Sequence, residues 1–329
     1  MSKKIQVLCM GNAIVDIIAR VDDAFLSRHE QVKGAMLLID ADTSARLYDD
    51  MPPAIERSGG SAANTATGVA SFGGRAAYIG KVHDDQLGRV FQHDIRAAGV
   101  AFETMPASEG APTATSMILV APDAQRNMNT YLGACTNISV DDIDPDYVAD
   151  AEILYVEGYL WDTPPMKAAV LKAMDAAIAG GTKVALSLSD SFCVDRFRAE
   201  FLDLVKTKVD IVFANDAEIM SLFEVDTFEA AVAALRPHVK IAALTRGADG
   251  SVILTPDTEV SVPAFATEVE DTTGAGDLYA SGVLYGLTNG HSYELCAQLG
   301  SLAAAEVIAH LGARSEVNLG ELAKKELDL

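Results

Sequence analysis

The chain has 329 residues, half of them hydrophobic and 6% aromatic, enough to bury the core of one large α/β domain or of a domain with an appendage. Its 47 acidic and 25 basic side chains give a formal charge of −22, which supplies no basic footprint for nucleic acid and is repelled by an anionic membrane surface. Four scattered cysteines (Cys9, Cys135, Cys193, Cys296) with no C-x-x-C pair, and six histidines without metal-ligand spacing, exclude a disulfide or zinc framework and read as reduced thiols in a cytoplasmic protein.

In chain order, the apolar run after the two N-terminal lysines is broken by Gly11, Asn12 and Asp16 and reads as a first strand, neither a leader nor a membrane span. Residues 14–57, with IVDIIARV and MLLID, and residues 107–134, with TATSMILVAP and NMNTYLGA, lack crossover helices and predict a small antiparallel appendage inserted twice, a flap or lid. The remainder, 1–13, 58–106 and 135–329, is assigned to the core. From Ala151 onward strands alternate with helices: ILYVEGYL, PPMKAAVLKAMDAAIAGG, KVALSLSD, VDRFRAEFLDLVKTK, DIVFAND and AEIMSLF. Near-continuous apolar strands such as 241–244 predict a doubly wound, mostly parallel sheet covered on both faces, with ligands at the carboxyl ends of its strands.

The segment Asp271-Thr272-Thr273-Gly274-Ala275-Gly276-Asp277 opens directly into an apolar helix. Its small residues admit a ligand to backbone N–H groups at a helix N-terminus, an anion hole for a transferring phosphoryl group, and Asp277 is placed to take a proton from an attacking hydroxyl. The alternative is that Thr273 or Asp277 merely caps the helix. Gly59, Gly60 and Asn64 precede another helix and suit a polyhydroxy ligand, or else glycine-assisted packing with Asn64 exposed. Asn12 ends the first strand and Asp16 follows it, where a carboxylate can accept both hydrogen bonds of a vicinal diol, the alternative being an exposed strand aspartate. Asn215 and Glu218 suit hydrated Mg²⁺ and phosphate, or a helix cap with a solvent-facing glutamate; Thr245 and Gly247 end a strand where a nucleotide would lie.

These segments, in this order, resemble the ribokinase-like (PfkB) family of sugar and nucleoside kinases, with DTTGAGDLYASGVL close to its C-terminal signature and GGSAANTA looser. The resemblance implies ATP and Mg²⁺ as cofactors, Asp277 as base, Gly274, Ala275 and Gly276 as anion hole, and Asn215 with Glu218 serving a water-held metal and phosphate. It further implies that Asp16, Gly60 and Asn64 grip the sugar hydroxyls, that Thr245 and Gly247 lie near ATP, and that Thr255 to Ala264 cover the nucleotide. GNAIVDI, RNMNTYLGACTN, VEGYLWD and LSLSDSF are most similar to the adenosine kinase branch, which places Asn12 facing the base, Arg126 as a phosphate contact, and Leu132, Tyr159 and Leu160 around the acceptor. Leu160 stands where that branch often stacks an aromatic ring. The implied reaction is phosphorylation of a ribonucleoside 5′-hydroxyl, adenosine first, with a sugar kinase of the same fold as the alternative. The acceptor is a small molecule and the protein a monomer or homodimer; a potassium site beside Asp271 and Gly312 is left open. A dinucleotide oxidoreductase and a P-loop kinase are excluded, since neither G-x-G-x-x-G nor G-x-x-x-x-G-K-[ST] occurs.

Overall fold

A computed structural model describes residues 3–31, 36–123 and 126–327. In chain order the strands are β1 (Ile5–Met10), β2 (Ile14–Arg20), β3 (Met36–Leu38), β4 (Ile55–Gly59), β5 (Ala76–Ile79), β6 (Ala101–Phe102), β7 (Ala114–Val120), β8 (Arg126–Tyr131), β9 (Ala151–Glu157), β10 (Lys183–Ser187), β11 (Ile211–Asn215), β12 (Ile241–Thr245), β13 (Ser251–Leu254) and β14 (Glu259–Val262). They form a nine-stranded sheet, β14-β13-β12-β11-β10-β9-β1-β5-β6, and a five-stranded sheet, β3-β8-β7-β2-β4.

From β12 through β6 the large sheet is parallel, and β13 and β14 add an antiparallel edge. The near-continuous apolar strands follow from burial on both faces. Successive side chains alternate between two cores: Leu8, Met10, Leu154, Val156, Ala242 and Leu244 face one, while Val7, Cys9, Ile153, Tyr155, Ile241 and Ala243 face the other. Helices Pro164–Ala179, Ser191–Thr207 and Asp216–Phe223 cover the first face. Ser61–Ser71 and Ala275–Thr288, packed against each other and with Tyr293–Val307 behind, cover the second. All four cysteines are free and buried, and no described helix is long and apolar enough to cross a membrane.

The small sheet draws its strands from both expected insertions, but it is mixed, not antiparallel. β2 pairs with β7, and β3 with β8, in parallel, because β2 and β7 come from separate insertions and run side by side in one direction. The first insertion also carries helices Asp23–Arg28 and Ala41–Asp50, where the sequence reading expects strands alone. Aspartates start both: Asp22 accepts from the Phe25 amide at 2.7 Å and Asp40 from the Thr43 amide at 2.8 Å. Buried Phe25, Leu26 and Leu47 cover the apolar face of the sheet. The expected strand ILYVEGYL stops at Glu157, and Gly158–Trp161 turns as a 3₁₀ segment.

Candidate active site

The site lies at the carboxyl ends of the parallel strands, where a cleft of about 420 Å³ is lined by Asn215, Glu218, Thr245, Gly247, Ala275, Gly276 and Asp277 together with Ser61, Ser187 and Ser189. Two helix N-termini meet there. Gly274 begins Ala275–Thr288 at φ 79°, a left-handed conformation that glycine adopts without a Cβ clash, and no side chain caps that end. The Ala275 amide turns back to the Thr272 carbonyl and Leu278 to Gly274, which leaves the Gly276 and Asp277 amides at the helix mouth without a helical acceptor. This is the donor arrangement that suits a phosphoryl anion.

Asp277 does not cap its helix. Its carboxylate accepts from Ser61 Oγ at 2.6 Å and from Asn64 Nδ2 at 2.9 Å, both on the neighbouring helix, and Thr65 Oγ1 donates to its carbonyl at 3.1 Å. Burial raises its pKa, opposed by these two donors and by the charge of Arg314. A carboxylate with raised proton affinity and a free lone pair is a competent base for a hydroxyl.

Asn64 is buried, not exposed. Asp16 is buried too, on β2 opposite Arg57 of β4. Gly59 and Gly60 make room beside it: a Cβ on Gly59 would lie 2.2 Å from Asp16 Oδ2, and one on Gly60, whose φ is 94°, would lie 2.2 Å from the Asn12 carbonyl oxygen. Burial lifts the Asp16 pKa to about 7, Arg314 and Arg57 pull it down, and Asp277 adds to the rise. Asn12 is 4% exposed and its Oδ1 is a buried acceptor without a partner.

Asn215 and Glu218 form a capping box, the cap anticipated as an alternative: Asn215 Oδ1 accepts from the Glu218 amide at 2.8 Å, while Glu218 accepts from Asn215 N at 3.1 Å and Nδ2 at 2.6 Å. Glu218 is nonetheless buried, and burial, with Asp190 and Asp216 adding to it, raises its pKa to about 7. That negative group on the cleft suits a hydrated Mg²⁺ reached through water, and no described cluster of His, Cys, Asp and Glu is arranged to ligate a metal directly. Asp271 is 2% exposed and is met by donors only: Thr273 N at 2.6 Å, Gly312 N at 2.9 Å, and the guanidinium of Arg126 in an ion pair. Arg126 thereby brings β8 of the small sheet onto the DTTGAGD loop.

Leu160 requires a correction. It has no exposed surface and packs in the core under the sheet, because the 3₁₀ turn after β9 rotates it inward. Tyr159 stays partly exposed, its hydroxyl donating to Asp190 at 3.0 Å, and Leu132 sits partly exposed just beyond β8. Two residues the sequence reading missed complete the site. Glu157, 1% exposed, accepts from the Asn12 amide and the Ala62 amide, both at 2.8 Å, and so clamps the end of β1 to the start of Ser61–Ser71. Burial raises its pKa to about 7. Arg314 Nε donates to Asn64 Oδ1 at 2.7 Å. The terminal Glu of β9 is a signal for the first; nothing local in the sequence announces the second.

A doubly wound sheet with a buried carboxylate at an uncapped glycine-rich helix mouth is an arrangement suited to an ATP-dependent kinase that phosphorylates a hydroxyl group, and the comparisons agree. The chain belongs to the pfkB family of carbohydrate kinases, whose domain matches residues 54–318. It is similar to the solved structure of an adenosine kinase from Sinorhizobium meliloti, 53% identical over 98% of this chain and 99% of that one, with a TM-score of 0.90. A probable sugar kinase from Rhizobium etli is 52% identical over 99% of this chain and 100% of that one, with a TM-score of 0.92. Among curated relatives, 5-dehydro-2-deoxygluconokinase of Shouchella clausii is 31% identical over 80% of this chain and 84% of its own length.

Proposed function

We propose that the chain transfers the γ-phosphoryl group of ATP to the 5′-hydroxyl of a ribonucleoside, adenosine first. The observation that carries the reading is the Asp277 carboxylate, held by Ser61 and Asn64 at the mouth of the uncapped helix and within electrostatic reach of the buried Asp16. Asp16 accepts the two ribose hydroxyls and the orphaned Asn12 Oδ1 takes a donor from the base. Asp277 takes the 5′-hydroxyl proton, and the amides at the mouth of the helix that begins at Ala275 receive the charge on the transferring group. Hydrated Mg²⁺, held through water by Asn215 and Glu218, supplies charge neutralisation on the phosphates when bound. Arg126 moves with the small sheet, which acts as a lid and contributes a phosphate contact once closed.

Nucleoside as acceptor is supported by the full-length likeness to the Sinorhizobium meliloti adenosine kinase. The near-equal likeness to a probable sugar kinase, and the burial of Leu160 away from any ring-stacking position, favour a free sugar as the second reading. The test is ADP release from ATP and Mg²⁺ over a panel of nucleosides, ribose, fructose and sugar acids. Adenosine with the highest kcat/KM supports the proposal; a sugar with a higher value, and no nucleoside turnover, refutes it.

A further inference from the structure

Three consecutive residues beyond the helix Tyr293–Val307 reach the site. Gly312 donates its amide to Asp271 at 2.9 Å, Ala313 lies so close to Gly274 that a Cβ there would come within 2.8 Å of its Cα, and Arg314 enters between the two helix mouths. Arg314 Nε donates to Asn64 Oδ1 at 2.7 Å and Nη2 donates to Ser58 Oγ at 3.0 Å. Ser58, on β4 and fully buried, gives its hydroxyl proton to Asp94, and its amide donates to the same oxygen at 2.8 Å.

The direction of every bond in this chain is determined. A hydroxyl has one proton; with it given to Asp94, Ser58 can only accept from Arg314. A carboxamide can turn either end toward Asp277, and an oxygen turned that way would face the carboxylate without a proton between them. The Nε–H of Arg314 holds the Asn64 oxygen on its own side, so that the Asn64 N–H group points at Asp277 Oδ2.

We propose that Arg314 is a positioning residue for phosphoryl transfer: its guanidinium fixes the Asn64 amide so that it donates to the base Asp277, and through Ser58 it ties that alignment to strand β4 of the small sheet. The inference rests on the phosphotransferase reading above. Its electrostatic consequence follows from the groups around Asp277. Asp16 on β2, Glu157, Tyr155 on β9, Cys9 on β1 and Tyr159 all lie within its field, and every one of them is neutral or negative. Arg314 is the cation that opposes burial at Asp277. Lysine would keep the charge but not the two-pronged donation, since one ammonium cannot reproduce the planar fork.

The experiment compares wild type, Arg314→Gln, Arg314→Lys, Asn64→Ala and the Arg314→Gln/Asn64→Ala pair in the full-length protein, with ATP, Mg²⁺ and adenosine. kcat, acceptor KM, the pH dependence of kcat and the thermal midpoint are measured. Arg314→Gln is expected to lower kcat about 10- to 100-fold, with a smaller change in KM, and to move the acidic limb of the profile to higher pH. Arg314→Lys should restore the position of that limb but only part of kcat. On the Asn64→Ala background, Arg314→Gln should have little further effect on kcat, because the amide it orients is gone. An unchanged kcat and profile for Arg314→Gln, or full additivity in the pair, overturns the inference. A loss confined to KM with the acidic limb in place overturns it too, assigning Arg314 to the acceptor. If Arg314→Gln fails to fold, the comparison of Arg314→Lys with and without Asn64→Ala decides by the same additivity rule. Wild type inactive on the whole nucleoside and sugar panel overturns the functional reading itself, a result distinct from an active wild type with indifferent Arg314 variants.

Discussion

Replacing Asp277 by asparagine separates its proposed role as base from its structural surroundings. The carboxylate accepts from Ser61 and from Asn64. In the variant, the new amide must give its oxygen to Asn64, whose N–H is locked in place by Arg314, and turn its own N–H group to Ser61, whose hydroxyl rotates to accept. Both hydrogen bonds survive in altered form, so the fold should lose no more than about 1 kcal/mol. Relief from burying a charged group offsets part of that. Catalysis has no such compensation: an amide takes no proton, and loss of a positioned general base is worth about 10²- to 10⁴-fold, or roughly 2.7 to 5.4 kcal/mol in the barrier. The assay is kcat with adenosine beside calorimetric adenosine affinity and a thermal melt. The expected result is a kcat reduced by at least about 10²-fold with affinity within a fewfold of wild type and a near-native midpoint. Wild-type turnover by a natively folded Asp277→Asn would refute the assignment of the base.

Because burial raises the Asp16 pKa to about 7, a proton should compete with the proposed acceptor diol for that carboxylate as the pH falls. Adenosine affinity should therefore be full above about pH 8 and weaken toward tenfold per unit below 7, and calorimetry from pH 5.5 to 8.5 should find this dependence abolished in Asp16→Asn. Acceptor binding should slow hydrogen exchange in β2, β7 and β8, the strands that carry Asp16 and the approach to Arg126; unchanged exchange at saturation would count against lid closure. Asn215→Ala removes the capping box of Asp216–Phe223 and should lower stability by about 1 kcal/mol, while raising the Mg²⁺ concentration needed for half-maximal rate if the pair also holds the hydrated ion.

Much of the architecture is local and therefore readable. Apolar runs at β1, β9 and β12 follow from burial on both faces, and DTTGAGD announces a tight turn into a helix because only small residues allow it. What escapes is set by tertiary contacts. Arg314 meets Asn64 across 250 residues of chain, and an arginine in a polar loop carries no mark of that destination. Glu157 looks like a strand-end carboxylate until the two amides it accepts are brought together by the fold. Leu160, placed at the acceptor by resemblance to the adenosine kinase branch, is sent into the core by the 3₁₀ turn that ends β9, a change of side-chain period that the apolar run does not show. Ala41–Asp50 hides its helical character because its apolar face is narrow and most of its residues are exposed.

The pairing of Ile14 with Gly59 has a consequence for how such a molecule changes its substrate. β1 of the large sheet ends at Met10 and β2 begins at Ile14, while β4 runs through Gly60 directly into the helix Ser61–Ser71, so this end of the small sheet is anchored by a few covalent bonds to the elements that hold Asp277. β7 and β8 have ties of their own, since Thr113 just before β7 is held by Asp85 and Arg126 at the start of β8 pairs with Asp271, which leaves the edge strand β3 as the part least coupled to Asp277 and the helix it sits on. That exposed edge is the part of the small sheet that a sequence change can alter with least effect on the cleft. Structures named as an adenosine kinase and as a probable sugar kinase match this fold over nearly the whole chain, so a change of acceptor needs no change of scaffold.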